Sequence, residues 1–266
     1  MHPIERLRWI ARADGESAIS LASEAASTLG ELASIEPVAV LTACRRLLER
    51  HPACGPLYWA AARLLVAADP AEAAEEAVAE LWNDETPQHV ARALAASLVP
   101  GSVVVTSEPA EIVGEALRGR GRYSVRLVTE LTGLRSSVRS LAAVAEDVTG
   151  YDRDECEAAL DGADAALVEA LAAGPALVLL SPAGAVLARA AGDSGVPAWL
   201  CVGAGRSLPG PLAAGAARAA SEAGAAELLS PDEFALAVGP DGPGDPAVVV
   251  ASATCPPGGE LLAARF

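Results

Sequence analysis

Lysine is absent from this chain of 266 residues, and all nineteen of its basic side chains are arginine. That absence excludes a lysine Schiff base, a pyridoxal-phosphate aldimine and the Lys-dependent phosphate loop, because each needs the ammonium group itself. Aromatic residues make up only 3%, which leaves few π platforms on which bases could stack. Positive charge is in the minority: 35 acidic side chains stand against 19 basic ones, a formal net charge of −16. Nucleic-acid binding draws its affinity largely from cations set against phosphates, so this balance argues against a nucleic-acid partner. Histidine occurs only at His2, His51 and His89, without a spacing suited to zinc, and no metal or cofactor is expected. Cys44, Cys54, Cys156, Cys201 and Cys255 form no CxxC pair. Their odd number, and the lack of a secretory pattern at Met1–Ile10, read as reduced thiols in a cytoplasmic protein.

Long apolar runs are equally rare. Residues 170–188 carry no charge, a stretch long enough on paper to cross a bilayer. Gly174, Pro175, Pro182 and Gly184 interrupt it, however, and its most apolar part spans only Ala176–Leu180. A buried parallel strand, apolar on both faces, fits that segment better than a membrane span.

What the sequence does hold is a core-forming composition, 52% hydrophobic and dominated by small aliphatic side chains. Up to Leu98 apolar residues recur at three- and four-residue spacing, which predicts helices over Ile4–Ala13, Ser17–Ser34, Pro37–Arg50, Leu57–Ala68, Pro70–Asn83 and Pro87–Leu98. Asp69 before Pro70, and Thr86 before Pro87, read as caps followed by proline in the first turn. After Pro100-Gly101 the pattern alternates. Strands are expected at Val103–Thr106, Ser124–Leu131, Ala163–Val168, Ala176–Leu180, Ala198–Val202 and Ala247–Ala251. Helices are expected at Glu108–Arg118, Leu134–Asp147, Ser181–Ala191 and Pro211–Ala223. Such alternation implies right-handed crossovers and a parallel sheet. The expected architecture is α/β: a helical domain over residues 1–99, followed by a Rossmann-like domain over residues 100–266.

In open parallel sheets ligands bind beyond the carboxyl ends of the strands. The chain there offers Thr106, Ser107 and Glu108, then Thr129 and Glu130, then Ser181 and Gly184, then Gly203 and Arg206. Hydroxyls, carboxylates, one guanidinium and amides near helix starts could hold a phosphate; equally, Ser and Thr after a strand are ordinary helix caps. Gly203-Ala204-Gly205 is not a dinucleotide loop, because the third glycine position is Leu208. Arg118, Arg120, Arg122 and Arg126 crowd the connection before a strand, at the amino end, and read as a solvated turn or subunit contact. Asp161 and Asp164 flank a helix-to-strand turn, Cys44 and Cys201 read as buried inert thiols, and no self-sufficient catalytic set emerges.

Several stretches nevertheless carry a resemblance. AISLASEAASTLGELA (18–33), GSVVVTSEPAEIVGEAL (101–117), SVRLVTE (124–130), ADAALVEALAAGPALVLLSPAGAVLARAA (163–191) and VPAWLCVGAG (196–205) follow one another as in a known superfamily. The chain resembles the superfamily of the regulatory (α, β, δ) subunits of translation initiation factor 2B, methylthioribose-1-phosphate isomerase and ribose-1,5-bisphosphate isomerase. The resemblance spans roughly residues 17–205 and rests on order and pattern. It implies pairing of two copies through the α/β domain and a small phosphorylated ligand.

The isomerases' chemistry is mostly missing at the matching positions. Glu108 stands where the isomerases carry a cysteine, and Glu130 keeps only the first letter of a Glu-Ser-Arg-Pro motif. With Asp164 on the family's first aspartate, Leu171 occupies the catalytic aspartate position, while Ser181, Pro182, Gly184 and Ala185 face Asn, Lys, Gly and Thr. An alternative register, with Gly162-Ala163-Asp164 on the family's Gly-Ala-Asp, restores that carboxylate but needs an insertion before Ser181. Moving a proton between adjacent sugar carbons needs an acid–base pair, worth roughly 10²–10⁴-fold in rate. The expectation is therefore a non-catalytic regulatory or ligand-sensing protein that binds a sugar phosphate or nucleotide through Thr106, Ser107, Ser181, Gly184, Gly203 and Arg206. The alternative is an altered isomerase using Glu108, Glu130 or Asp164.

Overall fold

The computed structural model describes residues 1–13, 15–118, 123–130, 134–143 and 147–262. Six helices open the chain: α1 (Pro3–Ile10), α2 (Ala18–Ile35), α3 (Val40–Arg50), α4 (Gly55–Val66), α5 (Pro70–Trp82) and α6 (Thr86–Ser97). Their starts are set by local chemistry. The Ser17 hydroxyl accepts from Ser20 N at 3.0 Å, and Asp69 Oδ1 accepts from the amides of Ala71 and Glu72. At α6 the capping group is Asp84, whose Oδ1 accepts from Thr86 N at 2.9 Å; Thr86 is the first helical residue rather than the cap.

The α/β part then runs β1 (Val103–Ser107), α7 (Glu111–Leu117), β2 (Ser124–Thr129), α8 (Leu134–Ala142), β3 (Asp147–Asp152), α9 (Cys156–Leu160), β4 (Ala165–Glu169), β5 (Ala172–Gly174), β6 (Leu177–Leu180) and α10 (Pro182–Ser194). It continues with β7 (Ala198–Cys201), α11 (Gly210–Glu222), β8 (Glu227–Leu229), β9 (Leu236–Gly239), β10 (Gly242–Gly244), α12 (Pro246–Ala251) and α13 (Gly259–Leu262). The main sheet has the order β10-β9-β7-β4-β1-β2-β3, parallel except for the antiparallel β10 edge. Strand order reverses between β1 and β4, with β2 and β3 added on one side and β7 and β9 on the other, so the crevice at their carboxyl ends is the switch point where ligands bind in such sheets.

Alternate residues feed two different cores, as the two-residue strand period requires. Val104, Ala165, Leu167, Trp199 and Cys201 pack with α6 and α7, while Val105, Ala166, Val168 and Leu200 pack with α9 and α10. A third core joins α1–α5 to α11 and to Ala172 and Leu179 of the β5–β6 hairpin.

Two expectations are corrected. Leu177–Leu180 is buried, but it pairs antiparallel with β5 and β8 in a separate three-stranded sheet. The turn at Gly174-Pro175 folds it back, and a Cβ on Gly174 would lie 2.5 Å from Ala213 Cβ of α11, so only glycine permits that approach. Residues 247–251 form a helix, not a strand. Asp245 accepts from Ala247 N at 2.9 Å and Pro246 opens the first turn, and this cap overrides the strand preference of three consecutive valines. Part of the expected helix after Leu134, residues 144–146, lies outside the described residues.

Candidate functional site

At the switch point Glu169 ends β4 on the face covered by α7. Its side chain is 0% exposed; Oε1 accepts from Val113 N at 2.9 Å, and Oε2 lies 3.6 Å from Arg206 Nη1. Arg206, from the loop after β7, is 1% exposed. Its Nη1 donates to Ala170 O at 2.6 Å, and its Nη2 pairs with Glu111 Oε2 at 3.1 Å. Glu111 Oε1 accepts in turn from Ala18 N at 3.1 Å, which ties α2 to α7. One buried cation thus faces two carboxylates. Burial raises the Glu169 pKa to about 7, against the lowering pull of Arg206 and the Val113 amide, and Glu111 adds to the rise.

A third carboxylate nearby is Asp84. Its Oδ2 accepts from Ala204 N at 3.0 Å, and a Cβ on Gly203 would come within 2.7 Å of that oxygen. The amide beside Gly203, expected to be open to a phosphate, is therefore held by a carboxylate of the chain itself. Arg206 is corrected in the same way, because its guanidinium is turned inward to Glu111 and Glu169 rather than outward to a ligand.

Ser107, Ser181 and Gly184 do come together. Ser181 Oγ caps α10 by accepting from Gly184 N at 3.1 Å and also donates to Glu108 O. Ser107 Oγ lies 3.2 Å from where a Gly184 Cβ would stand. Thr106 shares the opposite face with Glu169, buried, its hydroxyl without a hydrogen-bond partner among the described residues. Glu108 accepts from Thr129 Oγ1, and Glu130 forms an ion pair with Arg153 at 2.7 Å.

Asp164 is placed elsewhere. It precedes β4 at the amino edge of the sheet, where its Oδ2 accepts from Val103 N at 2.8 Å. Asp164 is thus a strand-end clamp, exposed and at the other end of β4 from Glu169. Of the crowded arginines, Arg118 pairs with Glu115, and Arg126 donates to the carbonyls of Ala159 and Asp161. Arg120 and Arg122 lie outside the described residues.

The thiols are held protonated. Burial pushes Cys44 up to about 12 and Cys54 to about 11, and raises Cys201, which pairs in register with Glu169. Between the helices and the carboxyl edge lies a cleft of about 390 Å³ lined by Arg50, His51, Cys54, Pro109, Glu111 and Leu171, among others. Beside it, Gly55 N donates to Leu171 O at 3.0 Å.

Glu169, Glu111 and Asp84 were not among the residues singled out from sequence. A signal for Glu169 exists: it is the one acid in the buried strand Ala165–Glu169, and such an acid needs a partner cation. Among the described residues no group of His, Cys, Asp and Glu is arranged to hold a metal ion, and no helix is long and apolar enough to cross a membrane.

Fold and crevice together define a class: a helical layer set against a Rossmann-like sheet, with a cleft over the β1/β4 switch point. Solved structures of similar fold include subunits of translation initiation factor eIF2B. The tetrameric eIF2B β2δ2 complex from C. thermophilum supplies a chain with a TM-score of 0.72 at 16% identity, covering 93% of this chain and 92% of that one. The eIF2B β subunit from Chaetomium thermophilum gives 0.67 at 13% identity, covering 97% and 90%. The Pyrococcus horikoshii translation initiation factor eIF-2B gives 0.63 at 18% identity, covering 75% and 78%. No protein-family model matches the chain, and no curated protein matches it in sequence. The likeness is one of fold.

Proposed function

We propose that this chain is a non-catalytic, eIF2B-like regulatory protein that works by self-association and by sensing a small phosphorylated ligand, a sugar phosphate or a nucleotide. The observation that carries the reading is the internal neutralisation of Arg206. Glu111 and Glu169 occupy the guanidinium that a substrate phosphate would need, and Glu169 is too deeply buried to exchange a proton with a bound sugar. The thiols beside it are held protonated, so the crevice offers no ready nucleophile.

The ligand's place is the cleft between helices and sheet, where Arg50 lines the wall and has no ion-pair partner among the described residues. Self-association is supported by the similar fold of a chain from a tetrameric eIF2B β2δ2 complex, and pairing through the α/β domain is what the family resemblance implies. The test is a thermal-shift and turnover panel of sugar phosphates and nucleotides on the purified protein, with its mass in solution measured by light scattering. Ligand at 100 times its Kd stabilises by about 2.7 kcal/mol. Stabilisation without turnover, on a dimer, is the expected outcome; turnover of methylthioribose-1-phosphate or ribose-1,5-bisphosphate would overturn it.

A further inference from the structure

A second cavity, of about 400 Å³, opens on the outer face of the helices between α1, α2 and α3. Its floor is aliphatic, built on the buried side chains of Leu7, Leu32 and Leu47. Its rim carries Arg8 and Arg12 from α1 and the turn after it, and Arg46 and Arg50 from α3. Each pair is four residues apart, so both members lie on one side of their helix and repel each other. One cation in the last turn of a helix answers its dipole. A second on each helix, with both pairs turned to a single cavity, does not follow from that rule.

These four guanidiniums are unpaired among the described residues, as Arg139 and Arg218 are elsewhere, but only these four gather around one cavity. Among the described residues none of them has an ion-pair or hydrogen-bond partner, whereas Arg6, Arg63, Arg118, Arg153, Arg189 and Arg206 are all paired. Glu49, which also lines the cavity, has a partner of its own. In a chain with net charge −16 this is a concentration of open positive charge over an apolar floor. The volume lies within the roughly 300–1,000 Å³ that small-molecule sites occupy. No aromatic side chain lines it, so a stacked base has no platform there.

We propose that this cavity binds an aliphatic anion, a hydrocarbon body on Leu7, Leu32 and Leu47 with a phosphate or carboxylate head held by the arginine forks. The site is separate from the inter-domain cleft; only Arg50 borders both.

The test is calorimetric titration of the whole protein with decyl phosphate and with decanoate, both below their micellar concentrations. Inorganic phosphate serves as the head alone and decanol as the body alone. The expected result is saturable binding of at least one of the two amphiphiles, weakened at least tenfold by raised salt and by the double variant R8Q/R46Q. Head or body alone binds at least tenfold more weakly. T42W, which fills the cavity from its rim, abolishes binding in the same way. The substituted side chains are exposed, and Arg50 is left in place so that the response of the inter-domain cleft to sugar phosphates is unaffected. The preferred head identifies the anion. No saturable binding of either amphiphile, undiminished binding to R8Q/R46Q and T42W, or binding only to vesicles containing phosphatidate would overturn the proposal.

Discussion

Arginine is treated in opposite ways in two regions of this molecule. Arg206 sits 1% exposed at the carboxyl edge of the sheet and faces Glu111, Glu169 and the Ala170 carbonyl. Arg8, Arg12, Arg46 and Arg50 stand exposed around the cavity of the helical layer, without ion-pair partners among the described residues. The difference follows from solvent. A buried guanidinium loses hydration and must be neutralised inside the protein, whereas water and salt screen neighbouring cations at a surface. The sheet crevice has therefore used its cation for structure, whereas the rim of the cavity keeps its four cations open.

The largest expected effect comes from removing the buried cation. Arg206→Met leaves Glu169 and Glu111 uncompensated and should cost about 3–5 kcal/mol in chemical denaturation. Arg46→Met, on the exposed side, should change stability by no more than about 0.5 kcal/mol. Equal losses at the two positions would erase the contrast.

Glu169 gives the next effect, through pH. Its pKa of about 7 when folded exceeds the ordinary value of 4.5, so the native state holds this proton longer than the unfolded chain. The stabilisation is complete below pH 4.5, is lost as pH rises to 7, and then levels off; its size is on the order of 3 kcal/mol. Glu169→Gln should lack this loss, so the stability difference between the two proteins changes with pH in that window. A pH-independent difference would mean that Glu169 is ionised throughout.

Asp84→Ala removes the acceptor for Ala204 N and for Thr86 N, and should cost about 1–2 kcal/mol. Gly203→Ala places a Cβ 2.7 Å from Asp84 Oδ2 and 2.9 Å from Ile112 Cδ1. It should lower stability by about 1–3 kcal/mol as an overpacking change; combined with Asp84→Ala, the two losses should not add, because the second substitution removes one of the clashing atoms.

Much of the fold was legible before any coordinates. The helices of the first part and the alternation that follows are both written in periodicity, and β1, β2, β4, β7 and α10 fall where apolar runs and caps put them. Residues 247–251 were misread because three valines favour a strand, while the decisive signal was the Asp245-Pro246 cap one step upstream. The direction of Leu177–Leu180 was not legible, since an apolar run records burial and not which neighbour it pairs with. At the candidate site the position of Arg206 at a strand end was visible, but its partners were not. Glu169 is 37 residues and Glu111 95 residues away along the chain, and only the packing of β4, α7 and the β7 loop brings them together.

The most direct measurement is a double-mutant cycle on Arg206 and Glu169, with R206M, E169Q and the pair compared by equilibrium denaturation at pH 8. If the crevice cation is neutralised by the chain's own carboxylates, the two substitutions couple by more than about 1.5 kcal/mol, and the double variant is more stable than the sum of single losses allows. Losses that add to within about 0.5 kcal/mol would contradict it, and would leave Arg206 free to hold a ligand's phosphate.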